Sequence, residues 1–211
     1  MTASLSLMQV MLRLTLLQAC WDPARMQAGG LAFALDPWLK RCWRGDPEGL
    51  RSARLRQLAH FNTHPYAAWL VAGALCTLEA EAAAASGAMR EAVLRRGEDL
   101  RVKTACSLAA LYDSFFWGAL LPASAAVGAA IFFAASKAEL SYSAVAGGGA
   151  ALLLYNVPAL VARWWGFRRG LERGEKAALE IARLPAQSWI VGFRRIAAGA
   201  AIASLGVVAY N

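Results

Sequence analysis

Charge is scarce in this sequence. Of 211 residues only 17% are charged and 58% are hydrophobic, with a mean hydropathy of +0.40. A soluble domain of this size carries about a quarter charged residues, so the scarcity excludes an ordinary water-soluble globule. Acidic residues are scarcer than basic ones, 14 Asp and Glu against 22 Lys and Arg, for a net charge of +8. That balance alone would suit a nucleic-acid binder. Here, however, the basic residues flank apolar runs, as Arg163, Arg168, Arg169, Arg173 and Lys176 follow the run ending at Val161. No basic face interleaved with aromatic residues is present in the sequence, which argues against nucleic acid and matches the positive-inside pattern of membrane proteins.

Other absences narrow the chemistry. The four cysteines, Cys20, Cys42, Cys76 and Cys106, have no CxxC spacing, which predicts reduced side chains packed as small apolar residues, with no disulfide frame and no zinc site. His60 and His64 stand four apart without an HExxH pattern, so no metal is expected there. The sequence has no nucleotide-binding loop, Ser-His-Asp set or redox motif, and no catalytic constellation or cofactor is implied. The apolar stretch from Met1 to Ala19 has its one charge, Arg13, in the middle, unlike a signal peptide with its charged first region. No internal repeat is evident.

What is present is helical patterning. Residues 5–21 read as a helix, with Asp22 as N-cap and Pro23 at the first position of a restart. From Met26 to Trp43 the apolar residues are interrupted by Gly29, Gly30, Pro37, Lys40 and Arg41, which predicts a helix lying at an interface. A loop follows from Arg44 to Gly49, then a basic helix over 48–60 with Leu50, Leu55 and Leu58 opposite its arginines. Pro65 to Leu78 is apolar for about 14 residues, too short to cross a bilayer at 1.5 Å per residue; such a segment is re-entrant or buried in protein. Glu79 to Asp99 reads as an Ala-rich charged helix outside the hydrocarbon. Thr104 to Ala135, with Asp113 and Pro122 inside it, reads as two half-spans or a broken helix pair. Ser141 to Ala162 is the cleanest span, and Trp164 and Trp165 stand where an interfacial aromatic belt would. A basic extramembrane helix is expected over 166–186, and a last apolar segment, Ile196 to Ala209, shortened by Arg194 and Arg195. The fold class is all-α: a helical integral membrane protein with broken or re-entrant helices, residues 1–60 forming an interfacial helical region and 61–211 a membrane-embedded domain. Positive-inside weighting places Arg163 to Ala182 in the cytoplasm.

Asp113 is the strongest single signal for function. A carboxylate at membrane depth costs about 2.5–3.5 kcal/mol on insertion scales, which is tolerated for a partner or a function; the alternative is a helix break at which Asp113 merely caps the second half. Trp117 is four residues on, on the same helical face, and a carboxylate beside an aromatic ring is a common way to hold a sugar. The second signal is Phe61-Asn62-Thr63-His64-Pro65-Tyr66. Asn62 and Thr63 offer capping oxygens and Pro65 suits a first helical turn, so this is either a capped helix start or a polar binding point within a membrane protein. Glu79 and Glu81 face apart at i, i+2 and read as a solvated helix start. Asn156, beside Tyr155 in the clean span, is expected to hydrogen-bond a neighbouring helix.

Several blocks then fall into a recognisable order: Leu17-Gln18-Ala19-Cys20-Trp21, Arg25-Met26-Gln27 and the glycines leading to Pro37; Phe61 to Pro65; Leu78-Glu79-Ala80-Glu81; Asp113-Ser114-Phe115-Phe116-Trp117-Gly118 with Pro122; and Tyr155-Asn156, Arg163, Gly166 and Gly170. Over about residues 13–175 this order resembles the IID component of the mannose/fructose/sorbose family of phosphoenolpyruvate-dependent sugar phosphotransferase systems. The resemblance implies a multi-pass subunit of the bacterial inner (plasma) membrane that pairs with a IIC subunit to pass a hexose inward. A cytoplasmic IIB protein, recharged through IIA, would phosphorylate the sugar, and the IID chain itself would carry no phosphoryl group. It also implies substrate-path roles for Asn62, Thr63, His64, Asp113, Ser114 and Trp117, and structural or partner roles for Pro65, Glu79, Glu81, Asn156 and Arg163. Membrane lipid is an expected partner; a cofactor is not. Where the family is Gly-rich before its Asp, this chain runs from Ser107 to Tyr112, and it stops at Asn211 where family members continue through further membrane segments. A transport-deficient, regulatory or scaffold IID-like protein is therefore the second functional expectation.

Overall fold

Every regular element in residues 2–209, the part of the chain described by the computed structural model, is helical. The α-helices are α1 (Ala3–Leu14), α2 (Ala28–Cys42), α3 (Pro47–Gln57), α4 (Ala67–Ala84), α5 (Gly87–Asp99), α6 (Ala105–Tyr112), α7 (Leu121–Lys137), α8 (Ser143–Arg173), α9 (Lys176–Ala182) and α10 (Ala186–Ala209). π-helical segments at Leu100–Thr104 and Asp113–Leu120 join α5, α6 and α7 into one 51-residue helical run. Four of these stretches are long and apolar enough to cross a membrane: Ala67–Ala84, Gly87–Lys137, Ser143–Arg173 and Ala186–Ala209. The chain divides into two compact units, Met1–Ala110 with Ala162–Arg183, and Leu111–Val161 with Leu184–Asn211.

In the first unit α4 is the buried centre. It is apolar all round from Ala67 to Leu78, and a helix of that kind is stable only inside other structure; nearly every residue over that stretch is buried. Gly73 lies against the Phe167 carbonyl and Gly170 against the Leu70 carbonyl, so α4 and the second half of α8 touch backbone to backbone and a Cβ at either glycine would clash. Thr77 Oγ1 donates to Leu171 O at 2.8 Å across the same contact. The Pro65–Leu78 segment is thus buried in protein, but its helix runs on to Ala84. Glu79–Asp99 is not one helix, because the chain turns at Ala85–Ser86 and Gly87 sits at φ +53°. Asp22 and Pro23 likewise do not restart a helix. The Asp22 carboxylate accepts from Ala24 N and Arg25 N at 3.0 and 2.8 Å, closing a tight turn, and α2 begins only at Ala28. On α3, Leu55 is exposed and the buried positions are Ala53 and Gln57.

In the second unit α7 and the first half of α8 pack through Gly128 and Gly147, whose added Cβ atoms would come within 2.7 Å of Ala151 Cβ and Phe132 Cβ respectively. The expected break in Thr104–Ala135 does not occur. Pro122 has no N–H to give the carbonyl one turn back, that of Gly118. Arg194 Nε of α10 supplies a donor to that oxygen at 3.2 Å, and the widened π turn spans the site. Arg194 and Arg195 accordingly lie in the middle of α10 rather than before its start. The first unit uses the same device. Pro37 leaves the Phe33 carbonyl without its helical donor, and Arg13 Nη1 donates to it at 3.0 Å while the guanidinium stacks 4.5 Å from the centre of the Phe33 ring. The lone charge of the first apolar stretch thereby has a partner. Ser143–Arg173 is continuous, so the clean span and the start of the basic helix are one element, stopped at Gly174 with φ +56°.

Candidate functional site

The turn Phe61–Tyr66 is built into the first unit by residues far away in sequence. Met26, at φ +56°, holds a tight turn through Met26 N to Asp22 O at 2.7 Å and bridges in parallel to Phe61. A non-glycine residue in the left-handed region is strained, and here two hydrogen bonds to Phe61 accompany it: Gln27 N to Phe61 O at 2.9 Å and Phe61 N to Arg25 O at 3.3 Å. The Gln27 amide then clamps Thr63 from both sides, Nε2 donating to Thr63 O at 2.7 Å and Oε1 accepting from Thr63 N at 3.2 Å. Thr63 Oγ1 donates to Ala105 O at 2.8 Å, next to the π turn that ends at Thr104. Thr63 is therefore no helix cap. That work falls to His64, whose Nδ1 accepts the Tyr66 N–H at 3.1 Å while its carbonyl accepts from Ala68 N.

His64 is 2% exposed and meets the Tyr66 ring edge-on at 4.7 Å; Arg163, from α8, lies 4.3 Å above that same ring. Burial first, and the Arg163 charge second, push the imidazole down to about 4, so it is neutral, with its proton on Nε2. Pro65 is half-buried in the turn before α4. Asn62 is exposed, and its amide makes no hydrogen bond among the described residues. Stretches separated in sequence (Arg25–Gln27, Phe61–Tyr66 and Arg163) thus meet at one polar turn.

Glu79 is the second centre of the first unit, and it is not solvated. It is 4% exposed and accepts from Trp43 Nε1 at 3.0 Å, Arg56 Nη2 at 2.9 Å and Gln57 Nε2 at 2.8 Å. A buried carboxylate needs such donors, and they come from the end of α2 and from α3. Burial, and then the Glu79 charge, push the nearby Cys42 thiol up to about 12, so it stays protonated and inert. Glu81 faces away, paired with Arg96 at 3.1 Å, and Arg96 reaches Glu175 at 2.7 Å.

In the second unit Asp113 opens the π segment and is half-buried, with Ser114 and Trp117 exposed. Tyr112 is buried and stacks on Phe116 at 5.7 Å; Phe115 packs edge-on to Phe193 at 5.7 Å. Asp113 is not a helix cap, since the helix continues through it with no side-chain cap bond. Asn156 Nδ2 donates to Leu152 O at 2.8 Å, one turn back in its own helix, and not to a neighbour. Among the described residues no three His, Cys, Asp or Glu come together as a metal would require. Cys20 and Cys106 are exposed, Cys42 half-buried and Cys76 buried.

Sequence reasoning missed Gln27, Trp43 and Tyr66. Gln27 and Trp43 are single polar groups in apolar surroundings, and nothing local says which distant backbone or carboxylate they meet. Arg25-Met26-Gln27 stood out only as part of the family pattern.

Residues 3–207 match the family described as PTS system mannose/fructose/sorbose family IID component. The PTS system mannose-specific EIID component of Escherichia coli (strain K12) is 32% identical over 165 residues, 78% of this chain and 54% of that protein. The fructose permease IID component of Bacillus subtilis (strain 168) is 25% identical over 158 residues, 75% of this chain and 53% of that one. The chain therefore spans about half the length of the curated relatives it matches. Among solved structures, a cryo-EM structure of the mannose transporter ManYZ with microcin E492 (MceA) superposes with a TM-score of 0.69 at 26% identity, over 100% of this chain and 69% of that chain. With a family match along nearly its whole length and four helices fit to span a bilayer, this chain belongs to the IID components of the mannose/fructose/sorbose phosphotransferase family, multi-pass proteins of the inner membrane.

Proposed function

We propose that the chain forms, with a IIC-type membrane subunit, the translocation path of a mannose-type hexose permease. A cytoplasmic IIB protein, recharged through IIA, phosphorylates the sugar, and this chain carries no phosphoryl group itself. The basic stretch from Arg163 to Ala182 faces the cytoplasm in this reading. The observation that supports it most is the polar turn of the first unit, where Gln27 and His64 spend side-chain hydrogen bonds on holding the backbone and leave the Asn62 amide open. A primary amide donates and accepts at once, as a sugar hydroxyl also does. Thr63 and His64 position the turn; Asn62 is the residue that touches substrate. In the second unit, Asp113 and Ser114 offer acceptors and Trp117 an aromatic face, the combination that covers both the hydroxyls and the C–H face of a pyranose.

The test is uptake of labelled hexose by a strain lacking its own mannose-type permease, expressing this chain with cognate IIA, IIB and IIC proteins. Asn62→Ala is expected to cut uptake by about tenfold or more, the loss of one or two hydrogen bonds to substrate, at unchanged membrane abundance. Wild-type uptake by Asn62→Ala would sink the assignment of the turn. Assembly with IIC but no uptake by the wild-type chain would favour the regulatory or scaffold role.

A further inference from the structure

Asn62 stands between two residues whose backbones are each pinned at both the N–H and the carbonyl. All four pins come from one short stretch, Arg25–Gln27. Phe61 N donates to Arg25 O at 3.3 Å, and Phe61 O accepts from Gln27 N at 2.9 Å. Thr63 N donates to Gln27 Oε1 at 3.2 Å, and Thr63 O accepts from Gln27 Nε2 at 2.7 Å. With planar peptides fixed on either side, the backbone of Asn62 has little freedom left, and its neighbours set the direction of its side chain. Gln27 is itself anchored at the start of α2. Its carbonyl accepts from Leu31 N at 3.0 Å, and three residues on, Gly30 lies against the Leu17 carbonyl with no room for a Cβ. The clamp thus stands on a helix packed backbone to backbone against the turn Leu17–Cys20.

The Gln27 amide does for Thr63 what a neighbouring β-strand would do, offering one donor and one acceptor to a backbone N–H and C=O. No strand is present among the described residues to take that place. Gln27 is 3% exposed, so the clamping group has to be neutral and has to play both parts at once. A carboxylate of the same length has two acceptors, and one of them would face the Thr63 carbonyl oxygen. A thioether of the same length has no donor at all. Backbone strain falls at the same place. Met26, beside Gln27, holds φ +56° without being glycine, and such residues persist where the surroundings over-determine them. A turn that only connected α3 to α4 would need neither the strain nor four pins around one exposed polar side chain.

We propose that Gln27 is a positioning residue for the sugar, a role that rests on the reading of Asn62 as the residue that touches substrate. Gln27 makes no contact with the sugar itself; it fixes the direction in which the Asn62 amide meets it. The test is hexose binding, by isothermal titration calorimetry, to the full chain co-purified in detergent with its IIC-type subunit. Gln27→Met keeps the length and loses the clamp. It is expected to raise the Kd by about tenfold or more, Asn62→Ala by a similar factor, and the double variant by little beyond either. A merely structural loss would lower the number of binding sites and leave the Kd of the remainder unchanged. Gln27→Glu adds a second readout. Ionised, it repels the Thr63 carbonyl; protonated, it regains one donor and one acceptor. Burial raises such a carboxyl, so its affinity is expected to be weak at about pH 8 and to recover toward wild type by about pH 5.5. The charged and titratable groups around the turn, Asp22, Arg25, His60, His64 and Arg163, are common to every variant, and the wild-type curve accounts for them. If Gln27→Glu does not assemble, Gln27→Met and the double variant decide. Wild-type affinity in Asn62→Ala would sink the reading of the turn. With Asn62→Ala weakened, wild-type affinity in Gln27→Met, additive losses in the double variant, or a Gln27→Glu curve parallel to wild type would each overturn the role of Gln27 alone.

Discussion

At the scale of single residues, His64 makes the sharpest demand on experiment. Its imidazole titrates near 4 in the folded chain, against about 6.5 when unfolded. Between those values the unfolded chain binds the extra proton, so stability falls as the pH drops through this window and is flat above it. Melting temperature in detergent, followed from about pH 7 to about pH 4, should show this decline. His64→Asn, which keeps an acceptor near the Tyr66 N–H, should remove the part of the slope that His64 contributes. A wild-type profile identical to that of the variant would mean the ring is not held neutral. Much of this chemistry was legible beforehand as type and not as role. The polar turn stood out because Asn, Thr and His interrupt an apolar context, but the cap is His64 and not Thr63, since Gln27 arrives from 36 residues away to take the Thr63 backbone. Glu79 looked solvated because i, i+2 spacing speaks only of its own helix. Its three donors lie on α2 and α3, where no local pattern reveals them.

At the scale of elements, hydropathy located the apolar helices but misjudged where they stop. Proline and glycine are reliable breakers when a helix must satisfy itself. Here a side chain from another helix supplies what proline withholds, at Phe33 through Arg13 and at Gly118 through Arg194. This makes a double-mutant cycle informative. Arg194→Ala should cost about 1 kcal/mol, the worth of one hydrogen bond from a charged donor discounted for its exposure. In a Pro122→Ala background, where residue 122 regains its N–H, the same change should cost close to nothing. Additive costs in the cycle would show that Arg194 does not serve that carbonyl. Pro65–Leu78 could be read as too short to span because its composition changes at Glu79, and its burial followed from having apolar residues on every side. The helix itself continues to Ala84 through alanine and glutamate, good helix formers, with Glu79 buried among donors that composition does not reveal.

At the scale of the whole molecule, the apolar surface exceeds what the chain covers by itself. Along α8, Leu152, Leu153, Val157, Leu160 and Val161 are all exposed, and Gly148 and Gly149 have open space where a side chain would be. Lipid satisfies leucine, but small residues in a spanning helix favour close approach by another helix. The chain is therefore expected to be degraded when expressed alone and to accumulate when co-expressed with a IIC-type subunit, as read by membrane immunoblot and size-exclusion profile. A long-lived, folded monomer without that subunit would refute the expectation. The family and the membrane class were legible from composition and motif order together, whereas the weaving of each compact unit from two separate stretches of chain was not, because nothing in residues 162–183 announces that they pack with α4. The two carbonyls that proline leaves without a helical donor, those of Phe33 and Gly118, also fix an order in time. Arg13 is made 20 residues ahead of Phe33, so its donor is waiting when that carbonyl leaves the ribosome. Arg194 trails Gly118 by 76 residues, and at about 5–20 residues per second translation reaches it roughly 4–15 s later. Until then the Gly118 carbonyl is without the donor that α10 brings, and the final shape of the π segment waits on that later helix.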